Sequence, residues 1–251
     1  MAQTYSLTSE LIDGSLPCLT VAPVGLDSSA PLVLLLHGLG GHKEKMLPGL
    51  YEFARRGYRA VAPDARLHGG WPDAGEREAR LHGDSLNTLS DIIEGTAEDV
   101  SRLLDHFGAD EAAVHGISLG GYVAFAALLT EPRLRVASVA MGSPDWLTPL
   151  RRSGLGPGHP AYDRAAQSNP LDLAELLYPP RPLLMLHGTA DDVVSPEGVI
   201  ALEEHLRPHY ADRPESLKLY LYPDFGHHYT DDMLERTAAW FGRFLPAEAA
   251  G

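Results

Sequence analysis

The sequence predicts an α/β protein: a mostly parallel central sheet with helices on both faces. Three observations carry that prediction. Runs at 31–36, 112–115, 135–141 and 183–186 are apolar almost throughout, as strands buried on both faces are. Between them lie stretches whose apolar residues recur at helical spacing. Strand and helix alternate along the chain, which is the pattern of parallel pairing with helical crossovers.

Taken in order, residues 3–8 and 16–22 alternate weakly and form an edge hairpin around Asp13-Gly14. The 31–36 strand runs straight into His37-Gly38-Leu39-Gly40-Gly41. A helix follows over 43–56, with Pro48 as a blemish, and then a short strand over 59–62 that ends in Pro63-Asp64. Residues 65–87 read as a long polar connection, a length that in compact domains is often functional. Over 88–107, Leu89, Ile92, Ile93, Val100, Leu103, Leu104 and Phe107 share one helical face. The 112–115 strand, an almost wholly apolar helix and the 135–141 strand come next. Residues 142–181 read as irregular, a small cap insertion over the carboxyl end of the sheet in an otherwise single domain spanning 1–251. The 183–186 strand ends in His187-Gly188, and Ser195-Pro196 supplies an N-cap and first position for a helix to about 206. A strand over 218–222 and a helix over 231–245 complete the pattern.

Between the 112–115 strand and its helix stands Gly116-Ile117-Ser118-Leu119-Gly120-Gly121. A serine at a strand-to-helix turn with glycines two residues to either side is the G-x-S-x-G nucleophile elbow. The turn is tight enough to strain the serine backbone, and a Cβ on the flanking positions would clash. It presents Oγ beyond the sheet and sets the Leu119 N–H at a helix start, where it can stabilise an oxyanion.

A serine hydroxyl needs a base, and the base needs an orienting carboxylate. Phe225-Gly226-His227-His228-Tyr229 follows the last strand and offers His227 as the base, preferred over His228 because it directly follows Gly226. His187-Gly188-Thr189-Ala190-Asp191-Asp192 offers Asp191 as the acid, with Asp192 left to cap the turn. The glycines after His37 let the Leu39 N–H serve as a second oxyanion donor. These stretches all follow strands, and ligands of parallel sheets sit beyond the carboxyl ends of the strands. Tyr122, Met141 and Trp146 lie near those ends and are expected to wall the substrate pocket.

Other chemistries lose ground on the same residues. Position 43 is Lys where a dinucleotide fingerprint needs Gly, and no G-K-[ST] follows any glycine loop. There is no H-E-x-x-H and no spaced cysteine set, so no metal site and no cofactor are expected. A net charge of −14 argues against nucleic acid and anionic membrane as partners. No apolar run approaches the ~20 residues of a membrane span. Cys18 is the only cysteine, which precludes an internal disulfide, and the first six residues lack a signal-peptide pattern. A cytoplasmic location is the expectation.

The chain resembles the α/β-hydrolase superfamily of serine hydrolases, and within it the dienelactone-hydrolase-like and prolyl-oligopeptidase-like small bacterial esterases. The resemblance spans roughly residues 30–245. It rests on His37-Gly38-Leu39-Gly40-Gly41, Pro63-Asp64-Ala65-Arg66-Leu67-His68-Gly69, the elbow, His187-Gly188-Thr189-Ala190-Asp191 and Gly226-His227. It implies the α/β-hydrolase fold, the triad order Ser118, Asp191, His227, and hydrolysis of small soluble esters. Dienelactone hydrolases proper carry cysteine where this chain has Ser118, and prolyl oligopeptidases carry a propeller for which 251 residues leave no room. Thioesterase, lactonase and acyltransferase activity would use the same triad. A non-catalytic binding module is the alternative of a different class.

Overall fold

Eight strands form one sheet in the order β1-β2-β4-β3-β5-β6-β7-β8, in a computed structural model that describes residues 3–177 and 181–247. Residues 178–180 of the expected insertion, and all but the first residue of the Ala/Gly tail, lie outside the described residues. The hairpin β1 (Tyr5–Ile12) and β2 (Leu16–Pro23) is antiparallel, and β2 joins β4 antiparallel. From β4 (Arg59–Pro63) through β3 (Leu32–Leu36), β5 (Ala112–Ile117), β6 (Leu134–Ala140), β7 (Leu183–Gly188) and β8 (Leu217–Tyr222) every pairing is parallel. The expected mostly parallel sheet is what forms.

The strands are apolar on both sides because each side is covered. In β3, Leu32, Leu34 and Leu36 enter a core with α3 (Ser85–Phe107), α4 (Leu119–Thr130) and α7 (Glu197–Leu206). Val33 and Leu35 enter the opposite core, with α1 (Leu47–Arg55) and α8 (Asp231–Phe244). Successive residues face opposite ways, so a run of aliphatics serves two cores. Among the described residues, no helix is long and apolar enough to cross a membrane.

Several element expectations are corrected. Pro48 does not interrupt a helix over 43–56: a 3-10 turn, Lys43–Met46, precedes α1, and Pro48 sits in the first turn of α1, where a missing N–H costs nothing. The connection 65–87 contains a 3-10 turn, Ala74–Glu76, and α2 (Arg77–Gly83). No residue of α2 is buried, so it leaves no hydrophobic period to detect. Helix α3 begins three residues before the expected start, because the Asp84 carboxylate caps it by accepting the Asn87 N–H. The insertion is not irregular. It holds α5 (Leu147–Arg152) and α6 (Pro160–Gln167) around a small core of Leu147, Leu150, Tyr162 and Ala165.

Candidate active site

Registration of the parallel strands brings their carboxyl ends level. Leu36 of β3 pairs with Gly116 of β5, Ile117 with Ala140 of β6, and Ala140 with Leu186 of β7. The residues that follow these strands therefore meet at one edge.

Ser118 has φ 54° and ψ −116°, a left-handed conformation that only a constrained turn maintains. The constraint is local packing. A Cβ on Gly116 would run into the Gly120 carbonyl, and one on Gly120 into the Leu36 carbonyl. With both absent, α4 starts directly at the sheet edge, and the Ser118 N–H donates to Ala140 O at 2.8 Å.

The Ser118 hydroxyl lies 2.8 Å from His227 Nε2, and His227 Nδ1 lies 2.7 Å from Asp191 Oδ2. An acceptor-only carboxylate at Nδ1 fixes the proton there and leaves Nε2 to accept from Ser118. Asp191 and His227, 36 positions apart, are brought together by backbone lacing: Thr189 N–H donates to Tyr222 O and Ala190 N–H to Phe225 O, both at 2.9 Å. His228, the alternative base, is exposed and apart from this line.

Asp191 also performs the turn-capping assigned in advance to Asp192. Its Oδ1 accepts the Val193 and Val194 N–H groups at 3.0 and 2.8 Å. Burial alone would raise its carboxyl pKa. The Val194 N–H and His227 outweigh that, holding it below the ordinary value. His187 Nε2 sits 3.3 Å from Asp191 Oδ2 and donates to Val194 O at 2.8 Å. One carboxylate oxygen thus lies between two imidazoles. Burial lowers the His187 pKa.

Leu39 and Leu119 flank the serine. Gly38 is so close that a Cβ there would stand 3.4 Å from Ser118 Cβ. The loop 37–41 is held by two histidines from the motifs of the sequence. His37 Nε2 accepts the Ala65 N–H at 3.0 Å while its Nδ1–H donates to Gly38 O at 2.9 Å. His68 Nε2 accepts the Gly40 N–H at 3.1 Å while its Nδ1–H donates to Arg66 O at 2.8 Å. Both rings must be neutral to accept. Burial pushes His37 down to about 4 and lowers His68 as well. Beneath them the fully buried Asp64 accepts from Lys43 N, Lys43 Nζ and Gly70 N at 2.7–2.8 Å.

A cavity of about 320 Å³ opens beside Ser118. Leu39 and Leu119, the two oxyanion candidates, line it, as do Tyr122 and Trp146, two of the three candidate wall residues. Met141 does not. It is 2% exposed, stands one residue beyond β6 at φ 54°, and its N–H donates to Leu186 O, so it extends the sheet edge. The remaining wall was not foreseen as such: it comes from the first half of α3, from α5 and α6, and from Val193 and Val194. Leu86, Leu89 and Ile93 repeat at helical spacing, which marks them as one face but not as a face left partly open.

Comparison with known proteins agrees with this architecture. The model of the alpha/beta hydrolase fold family matches residues 31–159. Esterase YjfP of Escherichia coli (strain K12) is 29% identical over 255 residues, covering 94% of this chain and 97% of its own length. YitV of Bacillus subtilis (strain 168) is 27% identical over 236 residues, covering 86% and 90%. Among solved structures, TT1662 from Thermus thermophilus superposes with a TM-score of 0.75 at 26% identity, over 98% of this chain and all of that one. The family match spans the β3 strand and the elbow that carries Ser118, while Asp191 and His227 lie beyond it, and the chain belongs to the alpha/beta hydrolase fold family.

Proposed function

We propose that this protein hydrolyses small carboxylic esters through an acyl-enzyme formed on Ser118. The observation that carries the reading is the continuous line from Asp191 through His227 to the Ser118 hydroxyl, at 2.7 and 2.8 Å. Ser118 Oγ attacks the ester carbonyl as His227 Nε2 takes its proton. The Leu39 and Leu119 N–H groups receive the oxyanion, an interaction of the kind whose loss typically costs ~10²–10³ in turnover. His227 returns the proton to the departing alcohol, then activates the water that releases the acid. Asp191 holds the tautomer and stabilises the imidazolium. Each step uses only side chains, backbone N–H groups and water. The similarity to an esterase over nearly the full length of both chains supports the ester as substrate.

The test is hydrolysis of p-nitrophenyl acetate and butyrate by the wild type, Ser118→Ala and His227→Ala. A fall of at least ~10³-fold in both variants is expected. Covalent labelling of the wild type, but not of Ser118→Ala, by a fluorophosphonate is expected alongside. Variants as active as the wild type would refute the assignment.

A further inference from the structure

The cavity beside Ser118 has a sidedness that assigns the two halves of the ester. Ser118 and Leu119 form part of its wall and His227 does not. In the reaction proposed above, on which this inference rests, the leaving oxygen must face His227 Nε2 to receive its proton. The acyl group then extends from the carbonyl carbon away from His227, which is into the cavity. We propose that this cavity is the acyl site, and that it selects uncharged, apolar acyl chains of about four to eight carbons.

The wall supports that chemistry. None of its residues is charged, and the polar side chains are confined to Ser90, Ser118, Tyr122 and the Trp146 indole. The indole N–H is already given to Ser143 O at 3.2 Å. A carboxylate or ammonium on the acyl group would be buried without a partner, which is strongly unfavourable. The volume, about 320 Å³, stands at the lower end of small-molecule pockets.

The far wall is set by helix-to-helix ties. Leu89 and Ile93 come from α3, Leu150 from α5, and Ala161 and Ala165 from α6. The two alanines are four residues apart and so share a face. Helix α6 is clamped to α3 by Arg164, whose guanidinium reaches Asp91 at 2.8 Å and Glu94 at 2.6 Å. Helix α5 is joined to α6 where Arg151 Nε donates to the Tyr162 hydroxyl at 3.1 Å. Small side chains on a fixed helix give the cavity its depth, so chain-length preference is written in α6 and the facing side of α3.

The experiment compares kcat/KM for p-nitrophenyl acetate, butyrate, hexanoate and octanoate, with mono-p-nitrophenyl succinate as a charged partner to butyrate. Wild type, Ala165→Phe, Ile93→Ala and Ser118→Ala are assayed. In the wild type, kcat/KM is expected to climb by up to about fourfold per added methylene until the cavity is full. Ala165→Phe is expected to lower the octanoate-to-acetate ratio at least tenfold. Ile93→Ala opens the opposite wall and is expected to lengthen the preferred chain by about two carbons, an independent readout should the bulky variant fold poorly. Ratios unmoved in both variants, or succinate cleaved as well as butyrate, would overturn the acyl-site assignment while leaving Ser118 hydrolysis intact. Wild-type rates in Ser118→Ala would overturn the hydrolytic reading, and the acyl site with it.

Discussion

His115 and Tyr229 show how the site is held at the scale of single residues. His115 lies on β5 three residues before Ser118, and Tyr229 lies two residues after His227. The Tyr229 hydroxyl is 2.8 Å from His115 Nε2, while His115 Nδ1 faces Ser138 O at 3.2 Å. The ring donates through Nδ1 and accepts through Nε2, so one hydrogen bond ties the strand before Ser118 to the loop that carries His227. Tyr229→Phe removes the donor and leaves a buried acceptor unsatisfied. Urea denaturation should show a loss of about 1–3 kcal/mol, and, with His227 as the proposed base, kcat should fall about tenfold with little change in KM, because His227 is displaced and not removed. Asp191→Asn keeps an oxygen for the Val193 and Val194 N–H groups while changing what His227 meets. We expect kcat to fall by on the order of 10³–10⁴ with the melting temperature nearly unchanged. A large loss of melting temperature would instead mark Asp191 as chiefly a turn cap.

At the scale of elements, the loop after β3 is built from parts distant in sequence. Lys43 opens the 3-10 turn before α1, and Asp64 directly follows β4. Their ammonium–carboxylate contact of 2.8 Å has side-chain exposures of only 10% and 0%. Removing one partner of such a pair strands the other charge in a dry interior. Lys43→Met is therefore expected to cost about 3–5 kcal/mol, read from urea unfolding, and to be nearly independent of salt because burial shields the pair from mobile ions. The same logic explains α2, which forms on the surface from good helix formers and contributes no buried residue. Its position at the junction with α3 depends on Asp84 as a cap, a signal that was present in the sequence but lay outside the apolar period.

At the scale of the whole molecule, the buried histidines set a pH dependence. Burial holds His37 and His115 down to about 4, against an ordinary 6.5. Both are neutral in the folded chain and take up protons on unfolding once the pH falls below about 6.5. The unfolded state then binds more protons, so stability drops as pH falls from about 6.5 towards 4, by up to about 3 kcal/mol per histidine. Glu131 adds a lower window. Arg133 holds its carboxyl at about 2, so its contribution is present above about 4.5 and is lost below it. Urea midpoints measured at pH 7, 5.5 and 4.5 should decline throughout, with a smaller decline in His115→Gln. A flat profile would mean that the imidazoles are hydrated in the folded state.

The alternation of apolar runs determined the parallel sheet, and the elbow determined where its functional edge lies. Both follow from local chemistry: a strand covered on two faces needs aliphatics throughout, and a serine at a turn this tight needs glycines at 116 and 120. Chain order and position after strands also singled out Ser118, Asp191 and His227 as one candidate set. The cavity was decided by tertiary structure alone. Leu89 and Ile93 read as one helical face, because an apolar side chain facing another helix and one facing an open cavity have the same spacing in sequence, and Ala165 fell in a stretch read as irregular. Met141 was misplaced for the converse reason. Its nearness to a strand end was legible, but the backbone turn that keeps it at the sheet edge depends on its bond to Leu186 across the sheet. The neutral roles of His37, His68 and His115 likewise arise only on folding, since an imidazole loses its proton where burial removes water and a backbone N–H or a tyrosine hydroxyl arrives to be accepted.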